Sequence, residues 1–157
     1  NVSLFTSHKI YSEAELHARY EIMLENYCKV LRIEALTMLD MVSTDILPAV
    51  SDYTATLMKT GAEKRSLLGE SYGSYEMKTA SRLAELTDAA SMDASKLDEA
   101  LLQAGEEADA ELAAKFYQAV VFKDMTELRL TVDEMETLTS RACWPYPSYG
   151  ELMFSVR

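Results

Sequence analysis

The sequence predicts an all-α domain: an elongated up-down-up bundle of three long helices, the first kinked at Pro48, followed by an extended aromatic C-terminal tail. Three observations carry that expectation. Only 5 Gly and 3 Pro occur in 157 residues, too few for the many turns of a sandwich or barrel. Apolar residues recur at helical spacing over long stretches. Glycines then divide the periodic stretches into three.

Residues 1–11 read as a lead-in, with Val2, Leu4, Phe5 and Ile10 as anchors. The first helix is expected over 12–60. Ser12 and Glu15 form a capping box, in which the hydroxyl accepts from the amide at position 15 and the carboxylate reaches back. Leu16, Tyr20, Met23, Leu24, Tyr27, Leu31, Ala35, Met38, Met41 and Val42 follow as one apolar stripe. Pro48 removes an intrahelical bond, but Ala49, Tyr53 and Leu57 continue the spacing, so a kink is predicted rather than a stop. Thr60-Gly61 reads as the C-terminal signal, with Gly61 taking positive φ.

The second helix is expected over 62–103, on a stripe of Leu67, Leu68, Tyr72, Tyr75, Thr79, Leu83, Leu86 and Ala90. Gly69 and Gly73 then fall inside it, as tolerated weak points or as places where a partner helix comes close. Past Ala90 the pattern turns small and acidic, and residues 91–105 fit either a continuation or a separate helix. Gly105 marks the next break. The third helix is expected over 106–141, on Leu112, Phe116, Val120 or Val121, Met125, Leu128, Val132, Met135 and Leu138. Glu106, Glu107 and Asp109 suit the positive end of its dipole, and Arg141 the negative end. Residues 142–157 form a tail held extended by Pro145 and Pro147, with Ser148 and Glu151 offering a second capping box. Its aromatic and apolar side chains are too many for a free tail, so Trp144, Tyr146, Tyr149, Leu152 and Phe154 are the candidate docking residues, against the bundle, a neighbouring domain or a subunit.

Hydrophobic residues make up 48% and charged residues 26%, an ordinary globular balance for one domain. The net charge is −11 and the pI about 4.6, which argues against nucleic acid or an anionic membrane as partner. No stretch approaches the roughly 20 apolar residues of a membrane span. Cys28 and Cys143 lack CxxC spacing and read as free thiols of a reducing, cytoplasmic compartment. The start at Asn1 rather than Met suits an excised or processed chain.

Little in the chain suggests chemistry of its own. Neither His8 nor His17 is preceded by Glu at the third position, as a helical di-iron site requires. Glu13, His17 and Glu21 share a helix face, but an exposed charge ladder explains them. Phosphate loops and nucleophile elbows are missing. Cys28 falls on the apolar side of the first helix as a core thiol, and Tyr20, Tyr27, Tyr53, Tyr72 and Tyr75 fit core or core-edge positions. Glu34 sits at the edge of the stripe, where Arg32 or Arg129 could pair with it. No catalytic, cofactor-binding or metal-binding residue is assigned.

The tail from Trp144 to Phe154 (Trp-Pro-Tyr-Pro-Ser-Tyr-Gly-Glu-Leu-Met-Phe) resembles the C-terminal signature of type III glutamine synthetases, with conservative departures at Tyr146, Ser148, Glu151 and Met153. Glu15–Ile22, Leu24–Tyr27, Ile33–Met38 and Ile46–Val50 resemble further segments of that family in the same order. The resemblance implies the helical domain appended after the catalytic one. The family joins ammonia to glutamate using ATP and divalent Mg or Mn, in ring-shaped homo-oligomers. Its nucleotide, glutamate and metal residues lie in domains that would precede Asn1, so none carries over. The implied partners are the catalytic domain of the same chain and neighbouring subunits, and the implied role is domain docking or oligomer assembly. A freestanding adaptor or regulatory binding module is the alternative, with a metal or redox enzyme within the bundle ranked third.

Overall fold

The computed structural model describes residues 2–147 and 149–154, Tyr149 by its backbone alone. Among the described residues every regular element is helical. The short α1 (Val2–Ser7) precedes α2 (Glu13–Asp40). A π-helical segment, Met41–Ile46, joins α2 to α3 (Leu47–Leu68) without a break in the helical path. After a turn comes α4 (Ser74–Glu106). A three-residue connection then leads to α5 (Ala110–Phe116), a second π segment (Tyr117–Val121) and α6 (Phe122–Leu138), again one continuous path. The tail carries α7 (Tyr149–Phe154).

The start of α2 is set by its capping box. Glu15 N–H donates to Ser12 Oγ at 3.3 Å, and Ser12 N–H donates to Glu15 Oε2 at 2.8 Å. The Ser12 amide, and with it the Ser12 hydroxyl at 2.8 Å, donate to the Glu15 carboxyl and hold it below its ordinary range. Just upstream, Arg19 stacks on the Tyr11 ring at 4.6 Å, and Phe5 sits 6.1 Å from it. Of the four lead-in anchors only Phe5 is half-buried; Val2, Leu4 and Ile10 are exposed.

The first helix does not end at Gly61. It runs on to Leu68, and Gly69 (φ 105°) ends it. Gly61 is buried mid-helix because α4 comes so close: a Cβ there would stand 3.2 Å from Glu76 Cβ and 3.1 Å from Met77 Sδ. Gly73 faces it at φ 76°, where a Cβ would lie 2.6 Å from the Gly61 carbonyl oxygen. The expected second helix over 62–103 therefore shifts to Ser74–Glu106, and Gly69 and Gly73 belong to the turn, not the helix interior. Leu67, Leu68, Tyr72 and Tyr75, assigned to its core stripe, are exposed in consequence. Residues 91–105 continue α4, and Gly105 lies inside it rather than at the break. The third helix begins at Ala110 instead of 106. Asp109 caps it, accepting from the amides of Glu111 and Leu112 at 2.9 Å. It stops at Leu138, short of Arg141.

Both π segments have the same origin. The core positions Met38, Val42, Ile46, Val50 and Thr54 follow one another at intervals of four, as do Tyr117, Val121 and Met125. A run of fours gains on the 3.6-residue turn and would carry the stripe off the core. The wider i→i+5 turn absorbs the surplus: Leu47 N–H bonds Val42 O, and Phe122 N–H bonds Tyr117 O. Pro48 lies at the start of α3, directly after the first wide turn. The chain does continue as a helix past Pro48, and the wide turn before it loosens the ladder where the missing N–H would leave a gap.

The core draws on all three helical paths, with Ala35, Val42 and Val50 from the first, Leu83, Ala90 and Leu97 from α4, and Val121, Leu128 and Met135 from the third. Ion pairs cross-link the helices, beside a hydrogen bond from the Thr131 hydroxyl of α6 to Asp93 of α4. Arg82 Nε donates to Glu134 Oε1 at 2.7 Å, and Lys96 bonds Asp124 and Glu127 at 2.8 Å each. Position 82 thus lies opposite 134 and 96 opposite 124, so α4 and α6 run in opposite directions. The Lys64–Glu76 pair closes the turn side of α3 against α4. Hydrogen bonds from these cations hold the Glu76, Glu127 and Glu134 carboxyls below their ordinary range.

Two consequences can be measured by urea unfolding. Gly73→Ala meets both a positive φ and the Gly61 backbone, and should cost about 2 kcal/mol or more. Gly69→Ala has the positive φ but open space around it, and should cost less. Lys96→Met strips the partner from Asp124, only 4% exposed, and should lower the midpoint clearly more than Lys115→Met, which breaks an exposed i,i+4 pair.

Candidate docking surface

The tail is positioned by how α6 ends. Thr139 leaves helical geometry at ψ 140°, and the amides of Cys143 and Trp144 both bond Ser140 O. This turn folds the chain back, and Pro145 and Pro147 keep the next residues from re-entering a helix. Trp144 and Tyr146 become half-buried against the core cluster. The Tyr146 hydroxyl donates to Asp45 Oδ2 at 2.6 Å. Asp45 belongs to the first π segment, so the tail is tied to the wide turn of the first helical path.

The five candidate docking residues therefore separate. Trp144 and Tyr146 face their own bundle. Leu152 and Phe154 on α7 are 61% and 80% exposed, with Met153 at 70%. The side chain of Tyr149 and the capping residue Ser148 lie outside the described residues.

The remaining candidates do not converge on chemistry. Glu13, His17 and Glu21 are exposed, and His17 Nε2 lies 3.8 Å from Glu13. Among the described residues no group of three or more His, Cys, Asp or Glu side chains could hold a metal ion. Cys28 packs half-buried against the core, and burial pushes its thiol up; Cys143 is exposed, and both are free. Glu34 is exposed and lines a groove together with Arg129, but Arg129 pairs with Asp133 at 3.5 Å. Tyr53 packs on the core, whereas Tyr20, Tyr27, Tyr72 and Tyr75 are exposed, against expectation. Periodicity placed them on the stripe, yet Tyr20 instead lines an open cleft with Val2 and Phe5 of α1 and Asp109–Glu111 at the start of α5. No helix among the described residues is long and apolar enough to cross a membrane.

The tether of the tail should be visible in an alkaline titration. Its bond to Asp45, aided by burial, pushes Tyr146 up to about 12 from an ordinary 10.0. A raised folded value means that the bond stabilises fully below pH 10.0 and is lost as pH rises through about 12. Tyrosinate absorbance should show a late step that Tyr146→Phe reduces, leaving Tyr53, which burial also pushes up. An unchanged late step in that variant would contradict the tether.

Residues 1–65 match the glutamine synthetase C-terminal domain family. The whole chain is 36% identical to a glutamine synthetase of Butyrivibrio fibrisolvens, covering 22% of that protein. It is 29% identical to a type-3 glutamine synthetase of Dictyostelium discoideum, over 98% of this chain and 22% of the relative. A Bacteroides fragilis (strain YCH46) glutamine synthetase is 25% identical over 94% of this chain and 21% of its own length. The chain thus spans about a fifth of the length of these relatives. The similarity to glutamine synthetases runs along the whole chain, and its first 65 residues match the C-terminal domain family of these enzymes.

Proposed function

We propose that this domain is the non-catalytic helical module of a type III glutamine synthetase, and that it docks on the catalytic portion and supports oligomer assembly. The observation that carries this is the end-to-end similarity to a fixed fifth of such enzymes. The parent enzyme makes glutamine from glutamate, ammonia and ATP in the cytoplasm, and the residues that hold the nucleotide and Mg or Mn belong to the other four-fifths. On this reading the three helical paths act as one up-down-up bundle, a stiff strut with a packed aromatic tail. Trp144 and Tyr146 fasten the tail to the strut, which leaves α7 to offer Leu152 and Phe154, with Tyr149, to the catalytic domain or a neighbouring subunit. A short end helix with exposed large apolar side chains has the composition that favours such contacts.

Deleting residues 1–157 from the full-length enzyme should dissociate the oligomer on a sizing column and lower glutamine formation, whereas the isolated domain should form no glutamine. An unchanged oligomer with full activity after deletion would refute the assembly role. Leu152→Asp together with Phe154→Asp should weaken assembly while leaving the helical content of the domain intact by circular dichroism.

A further inference from the structure

One helix of the domain carries large exposed apolar residues on the side opposite its buried face. The inner side of α2 packs Leu31 and Ala35 into the core. Its outer side carries Ile22, Met23, Val30, Ile33 and Leu36, all between 45% and 71% exposed. At 3.6 residues per turn these five fall within an arc of about 140° opposite the buried face, interrupted by Asn26, Lys29 and Thr37. The longer α4 exposes Tyr75, Met92 and Leu102, which point in unrelated directions and make no stripe. Five large exposed apolar residues on one side of a helix are the composition of a contact surface, and the polar residues among them suit an interface rather than a core.

The outer stripe also joins a groove. At Ile33 it meets a cleft of about 550 Å³ between the first helical path and α6. Met38, Met41, Val42, Met125 and Val132 line its floor, and Glu34 and the Arg129–Asp133 pair stand on its rim. Methionines suit a surface that must fit an incoming apolar side chain.

We infer that the α2 stripe and this groove form one docking surface, and that its occupant is an amphipathic helix from the preceding, catalytic portion of the enzyme polypeptide. This rests on the reading of the domain as part of a longer enzyme and assigns its contact face. Two observations select the occupant. Nearly four-fifths of each relative's length lies outside the stretch that this chain matches. The domain carries a net charge of −11, which opposes face-to-face pairing of two copies and favours a helix flanked by Lys or Arg, one of them facing Glu34.

Methionine-oxidation footprinting of the full-length enzyme tests this. Met23 on the stripe and Met92 on α4 are 71% and 73% exposed within the domain, so they form a matched pair. If the surface is occupied, Met23 should oxidise roughly tenfold more slowly than Met92. Equal rates would overturn the assignment of this face, even if the deletion described above dissolves the oligomer. A benzophenone amino acid in place of Ile33 supplies the second reading. Photo-crosslinks into the catalytic portion support the proposal. Crosslinks joining two copies of this domain would overturn it, because the occupant would then be a second copy. Retained assembly and activity after deletion would overturn the functional role alone, since Met23 protection and the crosslink report contact directly.

Discussion

Gly61 and Gly73 meet backbone to backbone, and the arrangement of the helices depends on that contact. A Cβ on Gly73 would stand 2.6 Å from the Gly61 carbonyl oxygen, nearer than any side chain tolerates. With neither Cβ present, α3 and the start of α4 pack at short range, and α4 is directed along the first helical path from its first turn. Its stripe of Ala80, Leu83, Leu86, Ala90 and Leu97 then falls on the core of that path. The third helical path, whose Leu128 and Met135 join the same core, packs against a surface already set. The Lys64–Glu76 pair beside the glycines reinforces the approach, while the glycines permit it.

Charge plays the complementary part. Twenty-six acidic side chains against 15 basic ones leave few cations to share, and Lys64, Arg82 and Lys96 are placed where one helix meets another. Lys96 serves both Asp124 and Glu127, and Arg82 serves Glu85 and Glu134. Hydrogen bonds to the carboxylates raise the pKa of both cations, and their acidic partners Glu127 and Glu134 are lowered. By linkage, the stability these acids contribute is present above their ordinary value of 4.5 and lost as pH falls through their depressed folded values. The rest of the negative surface is free to set what the domain associates with.

The helical class, the Ser12 cap, and the core positions from Leu31 to Val42 and from Val121 to Met135 were legible in the sequence, because local hydrogen bonding and apolar spacing determine them. The places that misled are those where a distant partner decides. Thr60-Gly61 has the form of a helix terminator, yet Gly61 was required by α4 arriving from the side, which no local pattern reveals. Gly69 and Gly73 looked like weak points of a helix because the apolar spacing of Leu67, Leu68, Tyr72 and Tyr75 runs across them. Those side chains lie past the reach of the bundle. Tyr20 and Tyr27 were placed on the core by the same periodicity, although they stay 50% and 39% exposed. The tail was legible as apolar, but only the folded chain distinguishes Trp144 and Tyr146, half-buried against the core, from the exposed Leu152 and Phe154.

The wide turn at Met41–Ile46 has a consequence for chain length. Elsewhere in a long helix, losing one residue would rotate everything beyond it by about 100° and lift the stripe off its core. A π segment holds one residue more than the α-helical path needs. Removing one residue there would restore ordinary i→i+4 bonding and leave α3 facing as it does now. Homologous chains that differ by a single residue in the length of this helix should therefore place the difference at this turn, or at its counterpart Tyr117–Val121.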